Sequence, residues 1–178
     1  MDSALLARMY QAVEQRDLDL HSLLVIRNGR IVAEAYYRPF RQDAQHELYS
    51  CTKSFVATLI GIAIDQGLIT GVEQRVLSCF PGRSFANPDP LKEAMTLEDL
   101  LTMTSGLDWP EGDPIYRAMY QSRDWVSFVL SRPMVERPGA RFNYNSGCSH
   151  VLSAILQEAT GMNTLTRPAA PSAAGVSC

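Results

Sequence analysis

The sequence predicts an α+β fold in which an antiparallel sheet is joined to a helical part. Three observations carry the prediction. The chain opens on an apolar stripe at helical spacing, two β-rich runs then flank Asn28-Gly29, and every later ordered-looking segment returns to helix periodicity with capping residues at its ends. With 178 residues the chain is long enough to bury a sizeable core as one domain, or as part of a larger one.

Leu5, Leu6, Met9, Tyr10 and Val13 recur at helical spacing, with Asp2 or Ser3 available as N-cap, so residues 3–15 read as an amphipathic helix. In "HSLLVIRNGRIVAEAYY" the Asn-Gly pair is the strongest short-range hairpin signal, and Pro39 closes the second strand. A helix beginning at "YSCTKSF" continues through the apolar run Phe55–Ile64 to about Asp65 and stops at Gly67; it reads as a buried helix. A Pro-, Gly- and Asn-rich loop covers about 81–90. Thr96 with Asp99 three residues on is a capping-box pattern, which predicts a short helix over 97–104 ending at Gly106. A further helix is expected near 122–131, and Pro138-Gly139 makes a turn. "FNYNSG" then reads as a loop. Val151, Leu152, Ile155, Leu156 and Ala159 mark a last helix closed by Gly161. Residues 1–162 are therefore expected to form the domain, and the Ala/Pro/Ser-rich segment 163–178 a tail without helical or strand period.

Composition excludes several function classes. A net charge of −3 with scattered Lys and Arg gives no footprint for nucleic acid. The run Phe55–Ile64 is too short to span a bilayer, and the N-terminus lacks the order of a signal peptide, so a cytoplasmic location is expected. Cys51, Cys79, Cys148 and Cys178 stand at no metal-type spacing, and neither a metal site nor a disulfide framework is expected.

Ser50 and Lys53 are three residues apart and share a helix face. A serine hydroxyl becomes a nucleophile when a base takes its proton, and lysine is such a base when neutral. The positive end of the helix dipole and the apolar run both disfavour the ammonium there. The helix start also leaves the serine's own N–H available to a developing oxyanion. Taken alone, the tetrapeptide more often means a capping serine and a lysine reaching to solvent. His21, His46 and His150 suggest a Ser-His-Asp triad only weakly, because "GCSHV" lacks the second glycine of G-x-S-x-G. Cys51 and Cys148 read as structural rather than reactive thiols. Trp109 and Tyr116 follow "SGL" in a segment expected to be a loop at the pocket rim, where packing is an equal alternative to substrate contact.

Three segments in order resemble the serine β-lactamase and penicillin-binding protein superfamily, and together they spread over residues 22–162. These are S-x-x-K on a helix that follows a helix and a hairpin, "LEDLLTMTSGL", and "RPGARFNYNSG". The second is similar to a family segment LLxHTSGL, with Met103 where histidine is frequent, and the third to PGxxFxYSN. The resemblance implies a β-lactamase/transpeptidase-like fold. It further implies Ser50 as nucleophile, Tyr144 as proton-shuttling partner of Lys53, and Ser146 or Asn145 as the third residue of the Tyr-x-Ser/Asn element. It implies no cofactor, and a small-molecule ester or amide as substrate. The family's Lys-Thr-Gly or His-x-Gly element does not follow Tyr144, so a chain cut short before its last strands, with a shifted reading frame after "ATGMNTL", is expected. The alternative expectation is an inactive fragment or binding module of the same family.

Overall fold

Asp2 caps the first helix, accepting the Ala4 N–H at 2.9 Å, and α1 runs Ser3–Gln15. It is followed by β1 (Ser22–Arg27) and β2 (Arg30–Tyr36), an antiparallel two-stranded sheet with a register shift between Val25 and Ile26. Asn28 and Gly29 both take positive φ, 50° and 71°, the backbone that matches the right-handed twist of a tight hairpin. Leu24, Ile26, Ile31 and Val32 of the hairpin are exposed. These elements belong to a first compact unit, which ends at Leu48, and the described residues from Tyr49 onward to a second. The chain is described here by a computed structural model over residues 2–162 and residue 164. Except for Thr164, the tail expected at 163–178, including Cys178, lies outside the described residues.

The second unit is helical: α2 (Cys51–Asp65), a 3-10 turn at Leu77–Cys79, α3 (Pro90–Ala94), α4 (Leu97–Leu101), α5 (Asp113–Gln121), α6 (Trp125–Leu130) and α7 (Ser146–Thr160). Its core is built around α7, whose Cys148, Val151, Leu152, Ile155 and Leu156 are buried at i, i+3, i+4 spacing. Onto that stripe pack α2 through Val56, Ile60 and Ala63, α4 through Leu97 and Leu100, and α6 through Val126, Val129 and Leu130. Each such aliphatic side chain contributes roughly 1.5–3 kcal/mol when removed from water.

The expected stops and starts hold where local hydrogen bonding decides them. Gly67, at φ 70°, closes α2, with its N–H on Ile64 O and that of Leu68 on Ala63 O. Thr96 and Asp99 form the capping box. Gly161 ends α7 at φ 66°.

Other expectations are corrected. The helix expected over 97–104 stops at Leu101, because Met103 turns left-handed (φ 58°) and the N–H groups of Met103 and Thr104 go back to Leu100 O and Asp99 O. This is a Schellman closure with methionine in the place glycine usually takes. Gly106 is therefore not the helix stop. It carries the close antiparallel pairing of Leu107 with Met134, accepting the N–H groups of Val135 and Glu136. The helix expected near 122–131 does form, as α6, and it starts at Trp125 because Asp124 caps it by accepting the Ser127 N–H at 3.0 Å. Helix α5, which begins at Asp113-Pro114, replaces the loop expected around Tyr116, and Ser146-Gly147 belong to α7 rather than to a loop. Nor is α2 buried all round: only the face carrying Val56, Ile60 and Ala63 is covered, and Phe55 is 59% exposed. In the 81–90 loop, buried Lys92 donates to Ala86 O (3.1 Å) and Asn87 O (2.8 Å), while Asp89 caps α3. No helix among the described residues is long and apolar enough to cross a membrane.

A Cβ on Gly106 would lie 2.2 Å from Glu136 O, in a backbone with φ 75°. Gly106→Ala is expected to cost about 2–4 kcal/mol or more through strain and loss of that pairing. Urea unfolding of the variant beside the parent measures it, and a midpoint unchanged by the substitution counts against the pairing.

Candidate active site

Ser50 stands at the N-cap of α2, and no side chain caps that helix. The preceding Tyr49 is held at φ 42°, an uncommon backbone for a residue with a Cβ, and this turn delivers Ser50 to the head of the helix. Thr52 and Lys53 N–H bond back to Tyr49 O and Ser50 O. Lys53, one turn on, donates from Nζ to Ser50 Oγ at 3.1 Å. The sequence spacing thus produces the contact directly.

Tyr144 reaches the same oxygen from the other side, its hydroxyl donating to Ser50 Oγ at 2.7 Å. Lys53 Nζ also lies 5.0 Å from the Tyr144 ring centroid. The hydrogen bond to Ser50 and the neighbouring Lys53 ammonium hold the Tyr144 phenol below the usual tyrosine range, against a smaller opposing pull from burial and from the Glu111 charge. Two backbone contacts place Tyr144. The Asn143 N–H is held by Met103 O at 2.8 Å and the Gly139 N–H by Thr104 O at 2.9 Å, so the Schellman turn after α4 anchors the loop that leads to the tyrosine. Asn143 Nδ2 adds a bond to Trp109 O at 3.1 Å. Residue 103 acts here through its backbone.

The other sequence-derived candidates separate. Asn145 is fully buried, and its Oδ1 caps α7 by accepting the Cys148 N–H at 3.0 Å. Ser146, half-buried, is the first residue of α7 and stands beside the Tyr116 hydroxyl at 3.2 Å. Trp109 is 2% exposed and packs edge-on to Phe128 and against Gly147, where a Cβ would come within 2.8 Å of the indole. The expectation of a rim position gives way to a core one. Of the histidines, His21 stacks on Phe40 and His46 in the first unit, and half-buried His150 meets Trp125; none touches Ser50.

Glu111 was not singled out from the sequence. Its carboxylate accepts the indole N–H of Trp109, the hydroxyl of Tyr116, and both the N–H (3.2 Å) and Oγ (2.5 Å) of Ser146. Burial pushes its carboxyl upward, and these hydrogen bonds, led by Ser146 and Tyr116, together outweigh that and hold it below the usual glutamate range. Nothing in "DWPEGDP" marks this residue, because its partner Ser146 lies far along the chain.

Residues 8–167 match the family model described as Beta-lactamase, and the chain belongs to that family. Its fold is that of the β-lactamase and transpeptidase group. EstCE1, a hydrolase with promiscuous acyltransferase activity, superimposes with a TM-score of 0.70 at 23% identity, over 89% of this chain and 48% of its own. An octameric penicillin-binding protein homologue from Pyrococcus abyssi gives 0.63 at 22% identity, over 92% and 40%. A D-stereospecific amidohydrolase from a Streptomyces species gives 0.51 at 22% identity, over 65% and 37%. The chain spans less than half the length of each.

Two cysteines flank this site with opposite surroundings. Burial pushes the Cys148 thiol up to about 12, whereas Cys51, beside Ser50, is exposed. Since the thiolate is the reactive form, iodoacetamide at pH 8 is expected to label Cys51 and to spare Cys148 until the chain is unfolded. Peptide mapping reads both, and native labelling of Cys148 would contradict the burial described.

Proposed function

We propose that the chain carries the nucleophilic site of a serine hydrolase that cleaves a small-molecule ester or amide through an acyl-enzyme on Ser50. The observation that carries the reading is the convergence of Lys53 Nζ and Tyr144 OH on Ser50 Oγ, at 3.1 and 2.7 Å. At rest both groups donate to that oxygen. Loss of one proton from the Lys53–Tyr144 pair turns the contact round, and the pair then accepts the Ser50 proton. The freed Oγ attacks the carbonyl carbon, and the carbonyl electron pair moves onto its oxygen beside the N–H of Ser50 itself, at the head of α2. Collapse of that adduct breaks the bond to the leaving group, which takes the proton back from the pair. Water, deprotonated by the same pair, then releases the acid and restores Ser50.

Family membership supports the reaction class, and the relatives described as a hydrolase and an amidohydrolase agree with an acyl substrate. Asn145 and Trp109 enter this reading as supports of the site, and Ser146 as the residue beside the substrate.

Intact-mass analysis after exposure to a fluorophosphonate or a penicillin is expected to give one adduct, absent in Ser50→Ala. Lys53→Ala and Tyr144→Phe are each expected to slow its formation by about 10²-fold or more. A folded chain that takes no adduct would make the site a binding surface instead. Because the phenol of Tyr144 is held low, the rate should rise with pH and level off below the ~10 of an ordinary tyrosine. Stopped-flow acylation across pH 6–11, on the order of that range, checks the sign: a rate still climbing at the top contradicts a tyrosine held low.

A further inference from the structure

We propose that Glu111 is the positioning residue of this site, a carboxylate whose four acceptor positions are all occupied by Trp109, Tyr116 and Ser146, so that it fixes the Tyr144–Ser146 turn and supplies the charge that balances Lys53. The inference rests on the reading of Ser50, Lys53 and Tyr144 as the reacting groups.

The count of donors decides the role. An ionised carboxylate offers about four lone-pair sites. Glu111 Oε1 takes the hydroxyls of Tyr116 and Ser146, and Oε2 takes the indole N–H of Trp109 and the backbone N–H of Ser146. No site is left to activate water or to accept a substrate proton, which separates Glu111 from a general base. What the four bonds do is join three parts of the second unit: the 107–112 segment, α5 through Tyr116, and the first residue of α7 through Ser146. Tyr144 lies two residues before Ser146, so the clamp sets where its hydroxyl meets Ser50.

The charge has a separate effect. Tyr144 is faced by Ser50 and the Lys53 cation from α2, by the Glu111 anion, and by the neutral Tyr116 hydroxyl from α5; on α7 itself, Cys148 is a neutral thiol. Lys53 favours the phenolate and Glu111 disfavours it. A neutral residue at 111 therefore leaves Lys53 unopposed.

The test titrates Tyr144 directly, in the full chain labelled with tyrosine carrying carbon-13 at Cζ, with Tyr144→Phe identifying its signal among the seven tyrosines. In Glu111→Gln the Tyr144 midpoint is expected at lower pH than in the parent. In Glu111→Asp, which keeps the charge but falls short of the four donors, the midpoint should stay nearer the parent while fluorophosphonate labelling of Ser50 slows about tenfold or more. A merely structural role would slow labelling without moving the midpoint. A Tyr144 midpoint that is unchanged in folded Glu111→Gln overturns the balancing charge, and parent-rate labelling of Glu111→Asp overturns the clamp. If Glu111→Gln does not fold, Glu111→Asp still decides the clamp. A parent chain that takes no fluorophosphonate, yet whose Tyr144 midpoint moves in Glu111→Gln, supports the role of Glu111 and counts against the hydrolase reading alone.

Discussion

The packing of α7 is the constraint on which the second unit depends. Its body supplies the buried stripe that α2, α4 and α6 share, and its first turn carries Ser146 directly after the Tyr144-Asn145 pair. The apolar contact between α2 and α7 therefore also brings Ser50 and Tyr144 together, although they are 94 residues apart in sequence. Gly147 is needed for this. A Cβ there would press into Val129 and Trp109 at 2.7 and 2.8 Å, so the helix seats only because that position is bare. Hydrophobic burial is not directional, and the directional part comes from a few polar contacts at the head of the helix: the Asn145 cap, Asn143 on Met103 and Trp109, and Ser146 on Glu111.

Charge at the site is arranged as an opposed pair around a neutral phenol. Lys53 lowers the phenol of Tyr144 and the Glu111 charge opposes it, with the serine oxygen accepting from both Lys53 Nζ and the Tyr144 hydroxyl. The cation favours the phenolate and the anion disfavours it.

How much of this could be read from the sequence depended on the range of the interactions. Ser50 and Lys53 meet because three residues make nearly one helical turn, which spacing alone reveals. The Asn28-Gly29 turn, the Thr96–Asp99 box and the Gly67 and Gly161 stops are local in the same way. Tyr144 was visible only through the resemblance of its segment to a known family, since nothing within ten or so residues of it points to Ser50. The aromatic after "SGL" was misplaced because a tryptophan next to a loop has the same local signature whether it lines a pocket or fills a core. Asp113-Pro114 did carry a helix-start signal for α5, but the polar and aromatic residues after it obscured the apolar stripe of Ile115 and Met119. Met103 ended α4 early for a reason no propensity gives: a left-handed methionine is held by bonds to Asp99 and Leu100 and by the loop it anchors.

That last closure links endurance to chemistry. Helix α4 is only Leu97–Leu101, a length that does not persist in water by itself, and the closing turn after it presents the carbonyls of Met103 and Thr104 that hold Asn143 and Gly139. Loosening of this turn therefore reaches the Tyr144 segment through Asn143 and Gly139, so the stability of one short turn and the placement of a phenol 40 residues on are linked.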